Sequence, residues 1–101
     1  MDKAKVMSTL GLAMRAQKLI SGEEFSTELI QKGRACLVFL ASDAGKNTTK
    51  KITDKAGSHN IRVISNLTGA EISRAIGKKN RKVVTIIDKN FADLLEQSCK
   101  E

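Results

Sequence analysis

The chemistry of this chain concentrates in five cations with no acid among them. Arg74, Lys78, Lys79, Arg81 and Lys82 fall between Ile72 and Ile87, and four of the five fill one short gap, Lys78-Lys79-Asn80-Arg81-Lys82. The apolar run Val83-Val84-Thr85-Ile86-Ile87 follows at once. A strand-like run rooted in a core holds its leading residues at a fixed place, so the gap forms a concentrated positive tip rather than a loose tail. The natural partner of such a tip is a polyanion, most often nucleic-acid phosphate. A lysine run by itself reads more simply as a solubilising loop.

Four further patterns carry possible chemistry. Gly45-Lys46-Asn47-Thr48 resembles the tail of a phosphate-binding loop, but Leu40 stands where the first glycine belongs and Asn47 where Ser or Thr must follow the lysine. Nucleotide hydrolysis is therefore rejected, and Lys46 beside a helix start is left able to hold a single phosphate. Ser21-Gly22-Glu23-Glu24 reads as a capping box, with Ser21 as N-cap and Glu24 reaching back. Acids suit a helix start; carboxylates there can also accept from base amino groups, while free N–H groups reach phosphates. Lys51 and Lys55 share a helix face, with Lys50 on its shoulder, that reads as solvated. The single histidine, His59, has no nucleophile or acid signature beside it, so no catalytic residue is assigned.

Cys36 and Cys99 are lone and distant, which signals neither a disulfide framework nor a metal site. Cys36 reads as a small apolar strand residue. No cofactor is implied. Aromatic content narrows the polyanion further. The chain has no Trp or Tyr and three Phe. Phe39 falls in an apolar run, while Phe25 and Phe91 fall on the apolar sides of helices. Single-strand platforms need exposed aromatics, and none is expected here. With no helix-turn-helix signature for duplex DNA, structured RNA is the favoured partner.

The elements that must position these groups follow from periodicity. The 101 residues suit one domain, read as a single RNA-binding domain over 1–101. Hydrophobic residues at 41% and charged residues at 29% describe a globular chain. Its +7 charge is uneven: residues from Asp88 onward carry −2, leaving +9 on residues 1–87. The longest apolar run, Ala35–Ala41, is too short to span a membrane, and no apolar leader follows Asp2, Lys3 and Lys5, so the cytoplasm is the expected compartment.

Helices are predicted over 2–16, from Gly22 to Gly33, from Asn47 to about Ser58, from Thr68 to Gly77 and over Asn90–Cys99. The second is predicted to bury Phe25, Leu29 and Ile30, and the last to turn Phe91, Leu94 and Leu95 inward. Thr68-Gly69-Ala70-Glu71 is a second capping box. Ala35–Ala41, Ile61–Ile64 and Val83–Ile87 read as strands, with a short one in Lys18–Ser21. This alternation points to α/β architecture: a three-layer α/β/α sandwich around a small, mostly parallel or mixed sheet of about four strands.

The same residues resemble a known family. Gly22-Glu23-Glu24-Phe25-Ser26-Thr27-Glu28-Leu29-Ile30-Gln31-Lys32-Gly33-Arg34-Ala35 is similar to the G-x-N-E-x-x-K…R-G-x-A block of the kink-turn RNA-binding ribosomal proteins, the L7Ae/L30e superfamily. Leu37-Val38-Phe39-Leu40-Ala41-Ser42-Asp43-Ala44 resembles that family's apolar strand ending in A-x-D. Ala75-Ile76-Gly77, a loop and Val83-Val84-Thr85-Ile86 resemble its closing strand. Gly11-Leu12-Ala13-Met14-Arg15-Ala16-Gln17-Lys18 is similar to a bacterial YlxQ-like subgroup.

The resemblance implies a non-enzymatic protein that binds folded RNA, kink-turn-like or ribosomal, with protein partners in a ribonucleoprotein. It pairs the start of the second helix with the loop before the last strand. Together with the reading of the residues, the site expected for RNA is Lys18, Gly22, Glu23, Glu24, Lys46, Arg74, Lys78, Lys79, Arg81 and Lys82. The family's base-reading Asn, Glu and Lys are Glu24, Phe25 and Glu28 here. A carboxylate cannot donate to guanine O6 or N7, so binding is expected to lean on backbone phosphates. Loss of that triad also suits a protein-interaction module on the same fold, in which an exposed Phe25 would be an anchor.

Overall fold

The structure, a computed structural model, describes residues 1–100. Its elements run α1 (Lys3–Arg15), β1 (Leu19–Ser21), α2 (Glu23–Gln31), β2 (Leu37–Leu40), α3 (Lys46–Ser58), β3 (Val63–Ile64), α4 (Gly69–Ile76), β4 (Val83–Ile86) and α5 (Lys89–Lys100). Each predicted helix and strand is present. Alternation along β2 and β4 divides the core, because successive side chains point to opposite sheet faces. Leu37, Phe39, Val84 and Ile86 pack with Val6 and Leu10 of α1, Ile72 and Ile76 of α4 and Leu95 of α5. Val38, Leu40 and Val83 pack with Ile30 of α2 and Ile52 and Ala56 of α3. The sheet is thus sandwiched between helix layers, α1, α4 and α5 on one side and α2 and α3 on the other.

The strand order is β1-β4-β2-β3. β2 and β3 pair in parallel, whereas β4 pairs antiparallel with both β1 and β2. It follows that β1, β2 and β3 run one way and β4 alone runs the other. The sheet is mixed, the second of the two alternatives read from the sequence. The reversal has a physical cause. A parallel return needs a crossover that carries the chain back to the far end of the sheet. α4 has eight residues and lies at the end of the sheet where β4 begins. Its first residue, Gly69, already lies against the Lys82 side chain that precedes β4. The chain therefore enters β4 from the end at which it left β3, and Leu40 and Ser21, ending β2 and β1, stand opposite Val83 and Val84 at the start of β4.

Local physics corrects several expectations. Ser21 belongs to the β1–β4 ladder, so it cannot cap α2, and the N-cap is Gly22. Gly45, not Asn47, precedes α3. The Thr68–Glu71 capping box forms in full, and α4 ends at Gly77 in the left-handed conformation. α2 buries Ser26, Thr27 and Ile30 rather than the Phe25 side of the helix. Small residues at 26 and 27 let it sit close on β4, and Phe25 is turned outward with 63% of its surface exposed. Leu94 likewise lies off the Ala92–Leu95–Ser98 face of α5 and is exposed. Cys36 is exposed, just ahead of β2.

Candidate nucleic-acid interface

Because β4 runs backward, the cationic loop of residues 77–82 and the start of α2 share one end of the sheet. The Gly22 N–H donates to the Val83 carbonyl at 2.8 Å, and the Ala41 N–H donates to the Lys82 carbonyl at 2.7 Å. The loop is therefore hydrogen-bonded at its exit to both neighbouring strand ends. Gly22 holds φ 119 and ψ 146, a region that residues with a β-carbon occupy only under strain. Its side-chain-free backbone leaves no cap on α2, so the N–H groups of the first turn, which have no partner within a helix, open toward the loop.

The loop is stapled internally. The Arg81 N–H donates to Ser73 Oγ at 2.8 Å, and that hydroxyl lies 3.3 Å from the Arg81 carbonyl, to which it donates. The Lys78 N–H donates to the Ser73 carbonyl at 2.9 Å. Asn80 takes φ 56, a left-handed turn that asparagine tolerates. A tip fixed in this way holds its charges in place instead of spreading them over a mobile ensemble.

The loop forms a ridge between two hollows. One, of about 460 Å³, includes Arg74, Lys78, Lys79 and Lys82 in its lining, with Asp43 as its acid. The other, of about 220 Å³, joins Arg81 and Lys82 to Gly22, Glu23 and Thr48. Arg74, Lys78 and Lys79 are exposed. Arg81 is half-buried, and its Nε is buried without a hydrogen-bond partner among the described residues. A buried donor of this kind is satisfied only when something brings an acceptor to it.

Two predicted contacts are already engaged within the protein. Lys82 folds across Gly69, its Nζ 3.4 Å from Asp43 Oδ2, while the Gly69 N–H donates to Asp43 Oδ1 at 2.8 Å. Those interactions, the Gly69 N–H foremost and Lys82 after it, hold the Asp43 carboxyl below its usual value. Glu23 accepts from the Thr48 hydroxyl at 2.5 Å and lies 3.4 Å from Lys51 Nζ. The Thr48 hydroxyl chiefly, with Lys51, lowers its pKa. Glu23 thus fastens α2 to α3. Lys51, read from the sequence as part of a solvated face, is half of that fastening.

Glu24 is exposed on the first turn of α2, and Lys46 is exposed at the start of α3 on the same end of the sheet. Lys18 is not there. Its carbonyl accepts from the Ile87 N–H, and Leu19 pairs with Ile86, so Lys18 sits at the opposite end of β1 and β4. Sequence reasoning grouped it with the loop. Asp43, Thr48, Ser73 and Asn80 were not assigned, although Asn80 lay inside the cationic gap, Thr48 inside the Gly45–Thr48 run and Asp43 just beyond an apolar strand; Ser73 had no signal. Among the described residues no group of three or more His, Cys, Asp or Glu could hold a metal ion. No helix among them is long and apolar enough to cross a membrane.

Comparison with known proteins gives concordant results. The sequence model of the ribosomal protein L7Ae/L30e/S12e/Gadd45 family matches residues 4–96. The RNA-binding protein YlxQ of Enterococcus faecium is 44% identical over 91 residues, covering 90% of this chain and 87% of that protein. The RNA-binding protein YlxQ of Bacillus subtilis is 43% identical over 86 residues, covering 85% and 86%. A solved structure from Bacillus halodurans, described as a protein of unknown function, superposes with a TM-score of 0.93 at 43% identity, over 97% of this chain and 99% of that one. A 15.5 kD RNA binding protein of Giardia lamblia superposes with a TM-score of 0.78 at 13% identity, over 96% and 83%, a likeness of fold alone.

Proposed function

This chain belongs to the ribosomal protein L7Ae/L30e/S12e/Gadd45 family, and from that premise we propose that it binds folded RNA, without catalysis, through the loop of residues 77–82 and the start of α2. The observation that carries the reading is the join between these two regions, the 2.8 Å hydrogen bond from Gly22 to Val83 and the hollow lined by Gly22, Glu23, Arg81 and Lys82. Lys78, Lys79 and Arg74 supply the exposed charge that a phosphate backbone draws on. Arg81 lines the same hollow as the uncapped helix start, so its guanidinium and the first-turn N–H groups together offer donors to one phosphate. Lys46 extends the positive field from α3. Lys82 contributes once its tether to Asp43 is exchanged for a phosphate.

The same reading assigns the RNA's character. Glu24 and Glu28, acceptor-only side chains when ionised, cannot donate to guanine O6 or N7. Recognition therefore rests on the shape and phosphates of a bent, kink-turn-like RNA, in a ribosomal or other ribonucleoprotein setting in the cytoplasm. The test is a salt titration of RNA affinity for the wild-type chain and for the variant with Lys78, Lys79, Arg81 and Lys82 all replaced by Ala. Each phosphate contact contributes about 0.7–0.9 to the slope of log affinity against log salt. With all four side chains on phosphates the slope should fall by about 3, whereas Lys18→Ala with Lys100→Ala should leave it nearly as it was. An unchanged slope removes the loop from the interface.

One observation favours a second reading. Phe25 is 63% exposed, the condition under which it could anchor a protein partner on a fold that has lost its base-reading triad. Under that reading the four-residue loop variant keeps wild-type RNA affinity.

A further inference from the structure

The exposed Phe25 stands at the lip of a third hollow, about 280 Å³, which it lines with Ile20, Glu28, Leu29, Lys32 and Arg34. This flank lies between α2 and the edge strand β1, outside the two hollows that border the cationic loop. We propose that Phe25 is a stacking platform for one unpaired nucleobase of the RNA held by the loop, with Arg34 meeting the phosphate beside it. The inference rests on the RNA reading above and adds to it a base-recognition position.

Three features select a nucleobase over a protein. The first is continuity. Phe25 Cδ2 lies 3.5 Å from where a β-carbon on Gly22 would stand, so the ring borders the helix start proposed to meet the RNA. The second is size. The hollow falls at the lower limit of small-ligand pockets, about 300–1,000 Å³, and suits a single planar ring. A stable protein interface covers roughly 800 Å² on each partner, and the apolar surface here is limited to Phe25 with Ile20 and Leu29. The other exposed large hydrophobics are Met1, Leu12 and Leu94; Leu12 and Leu94 belong to α1 and α5, across the sheet. The third is the rim. Glu28 and Lys32 pair at 2.6 Å, which keeps the carboxylate charged and able to accept from an exocyclic amino group of adenine, cytosine or guanine. Arg34 is exposed and has no salt bridge among the described residues, leaving its charge for a phosphate.

The test uses a hairpin RNA with tandem guanine–adenine pairs beside a bulge of unpaired nucleotides, and versions in which each unpaired nucleotide in turn is abasic. Dissociation constants are measured for the wild-type chain, Phe25→Ala, Phe25→Leu and Phe25→Tyr. Stacking of one base on an aromatic is worth about 1–3 kcal/mol, or roughly 5- to 150-fold. Phe25→Ala should weaken binding within that range. Phe25→Leu, which keeps the apolar bulk, should also lose affinity, and Phe25→Tyr should retain it. One abasic position should cost the wild type as much as Phe25→Ala does, and the two losses should not add. Wild-type affinity in Phe25→Ala, or full additivity at every abasic position, overturns the inference. If the four-residue loop variant still loses affinity in that case, stacking alone has failed and Phe25 is left to a protein partner. If the loop variant also binds normally, or the wild type does not bind the hairpin, the RNA reading fails with it.

Discussion

Replacing Gly22 by Ala separates backbone strain from every other cost at the interface. The β-carbon has room, since the nearest atom, Phe25 Cδ2, would be 3.5 Å away in ordinary contact. What changes is the conformational energy at φ 119, ψ 146, a region reserved almost wholly for glycine and costing other residues about 1–3 kcal/mol. For a domain of this size each kcal/mol lowers Tm by roughly 4–8 °C, so a cost near 2 kcal/mol lowers it by about 8–16 °C. Gly33→Ala is the matched control, because Gly33 sits just beyond the other end of α2 at φ 72, with nothing within 4 Å of where a β-carbon would stand. Its left-handed conformation costs about 1–2 kcal/mol. Both variants should melt early by circular dichroism. Only Gly22→Ala should also lose RNA affinity below its melting range, since relief of its strain moves the start of α2 away from Val83. Equal affinity in the two variants, or an unshifted Tm for Gly22→Ala, refutes the reasoning.

Two further outcomes follow from the contacts around the loop. Glu23 titrates below the ordinary glutamate value of 4.5 because the folded state favours its charged form. Its stabilisation is therefore present above about pH 4.5 and lost as pH falls through the lower folded value. With the side chain 35% exposed, solvent screening limits it to no more than about 1 kcal/mol. The urea midpoint of Glu23→Gln should lie below wild type at pH 7, and the gap should close as the pH is lowered through the acid range; a gap independent of pH assigns the loss to packing. Ser73→Ala removes the acceptor for the Arg81 N–H, at about 1 kcal/mol, and loosens the tip without removing charge. RNA affinity should fall at every salt concentration with the slope unchanged; a changed slope makes Ser73 part of the charge contacts.

The element order was legible because apolar periodicity and two kinds of punctuation agree along the chain. The Thr68 capping box and the Gly77 terminus fixed α4, and the unbroken run around Phe39 fixed the central strand. The direction of β4 was not legible. It depends on the end of the sheet to which α4 returns the chain, and alternating helices and strands look the same in a parallel and a mixed sheet. Phe25 misled because its spacing to Leu29 suits a buried stripe, while the close seat of Ser26 and Thr27 on β4 decides which side faces the sheet. Glu23 and Lys82 looked free because Thr48 and Asp43, which engage them, are 25 and 39 residues away in sequence. Sequence spacing exposes partners within a helix turn and hides those assembled by topology.

The central claim is that one surface, assembled by the reversal of β4, grips the RNA with the loop and the α2 start together. Amide chemical shifts of the labelled chain, followed as a bulged guanine–adenine hairpin RNA is added at moderate salt, test it most directly. Residues 22–25, Thr48 and residues 78–82 should shift together along a single binding curve, while the outer faces of α1 and α5 stay in place. Shifts centred on α1 and α5, or a loop that moves while residues 22–25 do not, would contradict the account.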